Sequence, residues 1–232
     1  MWNLEKVNFA IIISLFITKI YIKNDYEYLN SYFLYIMNYL DIINETEEFV
    51  KNYMKSYDES HDYNHIIRVK KLALKIAKKE KLDELSKFKV IIASLCHDIG
   101  DNKYTSDNNE QRRILTNFFK DKLNDEMIEE IIYITTYTSL SKEMANYNKI
   151  DDNNKILKCV QDSDRIDSLG SIGISRYFIY GIRKRNSNLN EIINNIKNRT
   201  KLIKKHIKTD YGKKLAKRKY KIIKKFLKDY YD

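Results

Sequence analysis

The chain has no proline and only 5 glycines in 232 residues, and this constrains its fold more than any other feature. Average proteins carry about 5% proline and about 7% glycine, the residues that end helices and shape tight turns. Without them nothing interrupts intrahelical hydrogen bonding, so the chain reads as long helices joined by short polar connections. With 43% hydrophobic and 32% charged residues, there is apolar material for one good core, or a core with a small appendage. The fold class is therefore all-α.

Hydrophobic spacing locates the helices. Phe49, Val50, Tyr53 and Met54 mark one over residues 46–57, and Ile66, Val69, Leu72, Ala73, Ile76 and Ala77 stripe another to residue 80. Residues 90–96 (VIIASLC) are apolar on every side, the pattern of a central buried helix. Asp107 and Glu110 have the spacing of a capping box opening a helix to residue 122. Further helices are expected over 124–136, 153–167, 171–184, 189–208 and 210–231.

Residues 9–18 (FAIIISLFIT) are strongly apolar, but Lys19 and Lys23 follow, and the run falls short of the ~20 residues that span a bilayer. We read residues 1–45 as a hydrophobic helical extension packed on the body or on a partner chain, which leaves a homo-oligomer open. Membrane association of this segment is the alternative. Residues 46–232 then form one domain ending in a basic helix. Cys96 and Cys159 lie in apolar runs, as buried reduced thiols of a cytoplasmic protein would.

The net charge of +11 is concentrated in the tail. Residues 201–232 hold 13 Lys/Arg against 3 Asp/Glu, while the remainder holds 30 against 29. Leu215, Ile222, Ile223, Phe226, Leu227 and Tyr230 form a helical stripe within this tail, so it is expected to pack on the body with its lysines as a solvated face. Nucleic-acid binding is the less favoured reading. Lys, Asn, Ile and Tyr share A/T-rich codons, so single lysines and tyrosines carry little weight and motifs must carry the argument.

Of the 4 histidines, two lie in His61-Asp62-Tyr63-Asn64-His65, and His97 is followed by Asp98 at the end of the all-apolar helix. Burying an unpaired charge there is costly, and a divalent cation removes that cost by pairing the carboxylate and ordering the imidazole. His65 precedes Val69 by four residues and Leu72 by seven, so it lies on the inward stripe of its own helix. The run CVQDSDRIDSLG offers Asp162, Asp164 and Asp167; Val160, Asp164 and Asp167 fall at i, i+4 and i+7, which puts Asp164 on the inward face. Two imidazoles and two carboxylates suit an octahedral Mn²⁺, Mg²⁺, Co²⁺ or Fe²⁺ ion with open positions for water.

His65 followed by Ile66, Ile67, Arg68 and Val69, then LCHDIGD, then QDSDRID, resembles the HD superfamily of metal-dependent phosphohydrolases, in its small single-domain form. The resemblance covers residues 61–181, including SLGSIGISRYFIYG, and implies an HD-domain helical bundle with a metal site in its core. In such proteins the ligands are a His before an Arg-Val pair, an adjacent His-Asp, and an Asp before a basic residue. These positions fall on His65, His97, Asp98 and Asp164, and the separations of 32 residues from His65 to His97 and 66 from Asp98 to Asp164 look like the family's layout. One divalent ion is implied, with manganese favoured. The activity implied is hydrolysis of a phosphate ester or anhydride in a nucleotide-like small molecule by a metal-activated water. A phosphodiesterase acting on cyclic nucleotides or RNA ends, and a nucleotide-sensing module without catalysis, are the alternatives.

Further roles follow from position. Asp101 occupies a place where related HD nucleotidases resemble this chain in having a functional acidic residue, and we assign it as general acid or base beside Asp98. Arg68, Lys103 and Arg165 are the cations nearest the motifs and are expected as phosphate contacts, with ion pairing to a ligand carboxylate as the alternative for Arg68 and Arg165. His61 belongs to no ligand position and is read as a supporting or structural residue.

Overall fold

Helix starts in this chain are set by polar side chains. A computed structural model describes residues 26–57, 62–100 and 109–232, the side chains of 26–36 and Ser56 excepted. These residues form α1 (Tyr26–Tyr53), α2 (Tyr63–Lys79), α3 (Glu84–Cys96), α4 (Glu110–Phe119), α5 (Asp125–Thr136), α6 (Leu140–Ala145), α7 (Lys155–Asp167), α8 (Gly170–Arg185), α9 (Leu189–Lys205) and α10 (Asp210–Tyr231), with no strand among the described residues. Asp62, Asp83, Asn124, Ser139, Asn154, Asn188 and Thr209 each accept a hydrogen bond from a backbone N–H in the first turn of the helix they precede. Such a cap satisfies one of the orphan donors at the helix start and is worth ~1 kcal/mol. Seven caps of this kind explain how a chain without proline begins its helices at defined places.

The chain divides into two compact units, Met1–Asn44 and Glu45–Asp232. The apolar run at residues 9–18 lies outside the described residues, and no described helix is long and apolar enough to cross a membrane. Three local expectations are corrected. The helix expected over 46–57 begins at Tyr26 and ends at Tyr53, followed by a 3₁₀ turn at Met54–Ser56. α4 starts at Glu110 behind Asn109 and ends at Phe119, short of residue 122; Asp107 of the expected capping box lies outside the described residues. α6 was not expected: six residues are too few to show a helical period, and only the Ser139 cap marks it.

In the second unit, α2, α3, α5 and α7 contribute Ala73, Ile76, Ala77, Val90, Ala93, Ile134, Leu157, Val160 and Ile166 to the main core. Burial of such side chains, at about 25 cal/mol per Å² of apolar surface, is what holds the helices together. A second cluster joins α8, α9 and α10 through Ile192, Ile193, Ile196 and Ile223, with Tyr177, Phe178, Phe226, Leu227 and Tyr230 packed on it. The apolar stripe of the basic tail is therefore packed, except Ile222, which stays 44% exposed.

Polar anchors fix α10 to α7. Buried Asp162 accepts hydrogen bonds from Lys208 N (2.9 Å), Thr209 N (2.7 Å) and Thr209 Oγ1 (2.7 Å). A Cβ on Gly212 would come within 2.5 Å of both Asp162 Oδ2 and Thr209 Oγ1, so this approach requires glycine. Asp162→Ala would strand these donors in the interior and is expected to lower stability by about 2–4 kcal/mol. Urea unfolding followed by circular dichroism measures this; a loss under ~1 kcal/mol contradicts the anchoring role.

Candidate metal centre

His65 stands in the first turn of α2, where Asp62 Oδ1 accepts from its backbone N–H at 3.1 Å. The cap sets the helix start, and the buried stripe Ile66, Val69 and Ala73 turns His65 into the interior. His97 and Asp98 follow directly on α3, seven of whose residues are buried. The chain then turns at Gly100, with φ +62°, where a Cβ would lie 2.7 Å from Gln111 N. Gln111 Nε2 donates to Ile99 O at 2.9 Å and ties the turn to α4. Asp164 comes from α7, between the core residues Val160 and Ile166.

These elements bring four side chains together. His65 Nε2 and His97 Nε2 are 3.2 Å apart. Asp98 Oδ2 is 3.4 Å from the first and 3.5 Å from the second, and Asp164 Oδ1 is 3.5 and 3.8 Å from them. The ligand atoms of His65, His97 and Asp98 all lie within 4.8 Å of one another, a set that can hold a metal ion. His65, His97 and Asp98 are buried, while the Asp164 side chain is 23% exposed and marks the open side.

The other imidazole nitrogens are committed. His65 Nδ1 is 2.8 Å from Asp167 Oδ2, and His97 Nδ1 is 2.8 Å from Ser94 O. Both acceptors require an N–H at Nδ1, which leaves a lone pair on each Nε2 of the neutral rings. Two lone pairs facing each other beside two carboxylates form an arrangement that a cation stabilises, so the donor set fits a divalent ion of hard or borderline character.

Asp167 is the organiser of this arrangement. It accepts from His65, from Arg68 Nε (2.8 Å) and Nη2 (3.0 Å), and from Arg176 Nη1 (2.9 Å). Burial alone would raise its carboxyl, but the hydrogen bonds from His65 and Arg68 and the charges of His65 and Arg176 hold it well below the usual carboxylate range. Burial and Arg176 push His65 down, while Asp167 and Asp98 outweigh both and hold it above the ordinary histidine value.

Arg68 thus reaches Asp167, the carboxylate that orients His65. Arg165 is not at the cluster: its guanidinium is fully buried, paired with Glu143 Oε2 and bonded to His206 O at 2.8 Å. It follows Asp164 by one residue, about 100° around the helix, so the expectation of a phosphate contact is corrected to an interior ion pair. Asp101, Lys103 and His61 lie outside the described residues. Both thiols are buried; burial pushes Cys159 up to about 12 and Cys96 further, which suits neither for nucleophilic chemistry. The reading from sequence missed Asp167 as organiser, although the i, i+4, i+7 series contained it, and missed Arg176 and Gln111, which carry no signal in the sequence.

The His/Asp cluster between α2, α3 and α7 lies within the stretch that a family model matches. The HD domain model matches residues 62–169, and that stretch of the chain is an HD domain. It is similar to YpgQ of Bacillus subtilis (strain 168), 33% identical over 131 residues that cover 52% of this chain and 57% of YpgQ. The match thus spans little more than half of that relative. The Lin1889 protein from Listeria innocua has a similar structure, with TM-score 0.60 and 30% identity over 82% of this chain and 96% of that one. The crystal structure of B. subtilis YpgQ in complex with ADP gives TM-score 0.65 at 21% identity, covering 83% and 94% of the two chains. An HD-superfamily hydrolase from Bacillus thuringiensis gives 0.63 at 22%, covering 83% and 96%. The last two likenesses establish the fold.

The organising role of Asp167 is open to test. Asp167→Asn removes the charge that holds His65, Arg68 and Arg176, and is expected to weaken Mn²⁺ binding by about 10–100-fold, the scale for loss of such a partner. Calorimetric titration with Mn²⁺ reads this directly, and an unchanged affinity would show that His65 is oriented without it.

Proposed function

We propose that this protein is a metal-dependent phosphohydrolase that cleaves a phosphate ester or anhydride bond in a nucleotide-like small molecule. The observation that carries the reading is the convergence of His65 Nε2, His97 Nε2, Asp98 Oδ2 and Asp164 Oδ1 in one largely buried cluster. These four residues would hold one divalent ion, with manganese the first to test. When bound, such an ion polarises a phosphoryl oxygen and supplies a water acidic enough to attack at neutral pH. Asp167, clamped by Arg68 and Arg176, keeps the His65 ring in place, and the Ser94 carbonyl does the same for His97. Asp101, the residue after Gly100 in the sequence, is read as the group that moves a proton, and Lys103 as a phosphate contact. The ADP in the YpgQ complex supports a nucleotide as the substrate class.

A phosphate-release screen across nucleoside mono-, di- and triphosphates, with Mn²⁺, Mg²⁺, Co²⁺ and Fe²⁺ in turn, tests the reading. Activity is expected to vanish with a chelator and to return with one of these ions. Asp98→Ala is expected to lose metal and activity together while its circular dichroism remains helical; a variant that binds metal and turns over as wild type would sink the assignment.

The role of Asp101 has its own test. Asp101→Asn is expected to keep metal and substrate affinity but lower kcat by roughly 10²–10⁴, the usual scale for a general acid or base. A kcat near wild type, with ~1 kcal/mol less stability, would make it a turn-capping residue.

A further inference from the structure

Lys219 lies on α10, within the basic tail that reads as a solvated face in the sequence. It is only partly solvated: half-buried, it reaches α7, with Nζ 3.4 Å from Ile166 O. Ile166 sits between Asp164, a candidate ligand, and Asp167. The Cβ and Cγ of Lys219 pass 3.5 Å from the place a Cβ on Gly170 would take, an ordinary van der Waals distance, so the lysine stem runs against the start of α8.

The charges around it are unequal. Lys219 is attracted by Asp167 and repelled by Arg68 and Arg218; burial first, and these repulsions, hold its amine below the ordinary lysine value. Asp167 already accepts four hydrogen bonds, from His65, Arg68 and Arg176. Among the described residues Lys219 forms no ion pair, and its hydrogen bond goes to a neutral carbonyl. A half-buried ammonium in that setting is under-compensated, and a charged acceptor would replace a weak hydrogen bond by a strong one.

We propose that Lys219, beside Arg68 and Arg176, forms an anion subsite adjoining the His65–Asp164 cluster that takes a second phosphoryl group of the substrate. This rests on the phosphohydrolase reading and narrows it: Lys219 is a specificity residue that favours substrates with two or more linked phosphoryl groups over monophosphates. It also gives the basic tail a role at one position, carried by the same helix that Asp162 anchors.

The test uses binding, which does not depend on turnover. Inorganic pyrophosphate and orthophosphate are titrated into the full chain in manganese buffer, for wild type, K219Q, K219R and the exposed neighbour variant R218Q. K219Q is expected to weaken pyrophosphate binding about tenfold or more, as loss of a charge-assisted hydrogen bond does. Orthophosphate should change less than about threefold, K219R should recover most of the loss, and R218Q should behave as wild type apart from weak, salt-screened effects. Metal content and melting temperature are recorded for each variant; K219M, which keeps the apolar stem, replaces K219Q if the latter folds poorly. Unchanged pyrophosphate affinity in the Lys219 variants, equal losses for both anions, or the same loss in R218Q overturns the subsite. Lys219-dependent pyrophosphate binding without hydrolysis of any nucleotide would leave the subsite standing and remove the hydrolase reading.

Discussion

Two imidazoles turned toward one another are the arrangement on which the rest of the site depends. His65 and His97 reach it from different helices, and each is fixed by what its Nδ1 touches: a carboxylate in one case, a main-chain carbonyl in the other. Fixing the tautomer at Nδ1 sets the chemistry at Nε2, so residues that never face an open site decide what it can bind. The two carboxylates at 3.4–3.8 Å from these nitrogens complete a set that favours positive charge.

Helix α7 distributes these constraints. Its last six residues send each polar side chain to a different place: Asp162 to the start of α10, Ser163 back to Val160 O, Asp164 to the two imidazoles, Arg165 to Glu143 and His206, and Asp167 to His65 and two arginines. Ile166 is the one side chain of this stretch given to the core. A helix so committed has little freedom to rotate, because turning one residue toward a better contact would pull five others away from theirs. Buried ion pairs such as Arg165–Glu143 add little net stability over apolar packing, yet breaking one leaves a charge stranded. Their contribution here is to hold the helix in a single register.

Much of this was legible in the sequence. The stripe after His65, the apolar run before His97 and the spacing of Val160 and Asp164 predict which way those side chains face, because helical periodicity maps sequence onto direction. The HD domain resemblance is shown by the family match over residues 62–169. Arg165 was misread because nearness in sequence to a ligand says nothing of direction: adjacent residues on a helix point about 100° apart. Arg68, like Arg165, was read with two outcomes, and its guanidinium pairs with Asp167. Asp167 could be found only by knowing that α2 and α7 lie side by side, and Arg176 and Gln111 only by knowing where α8 and α4 pass. Long-range packing carries that information, and no local pattern encodes it.

The wide spacing of the cluster along the chain has a consequence for folding. His65, the His97–Asp98 pair and Asp164 are separated by segments of 32 and 66 residues, so an ion held by all of them acts as a cross-link that closes two long loops at once. Pinning distant points removes conformational freedom from the unfolded chain, the effect a disulfide has, and the gain grows slowly with loop length. It is reversible, and its strength follows the concentration of free ion through mass action. The half of the domain between α2 and α7 would then be tied together in proportion to the metal supply, while the α8–α10 cluster, held by its own apolar contacts, would not. Such a chain has two levels of cohesion, one set by composition and one by its surroundings.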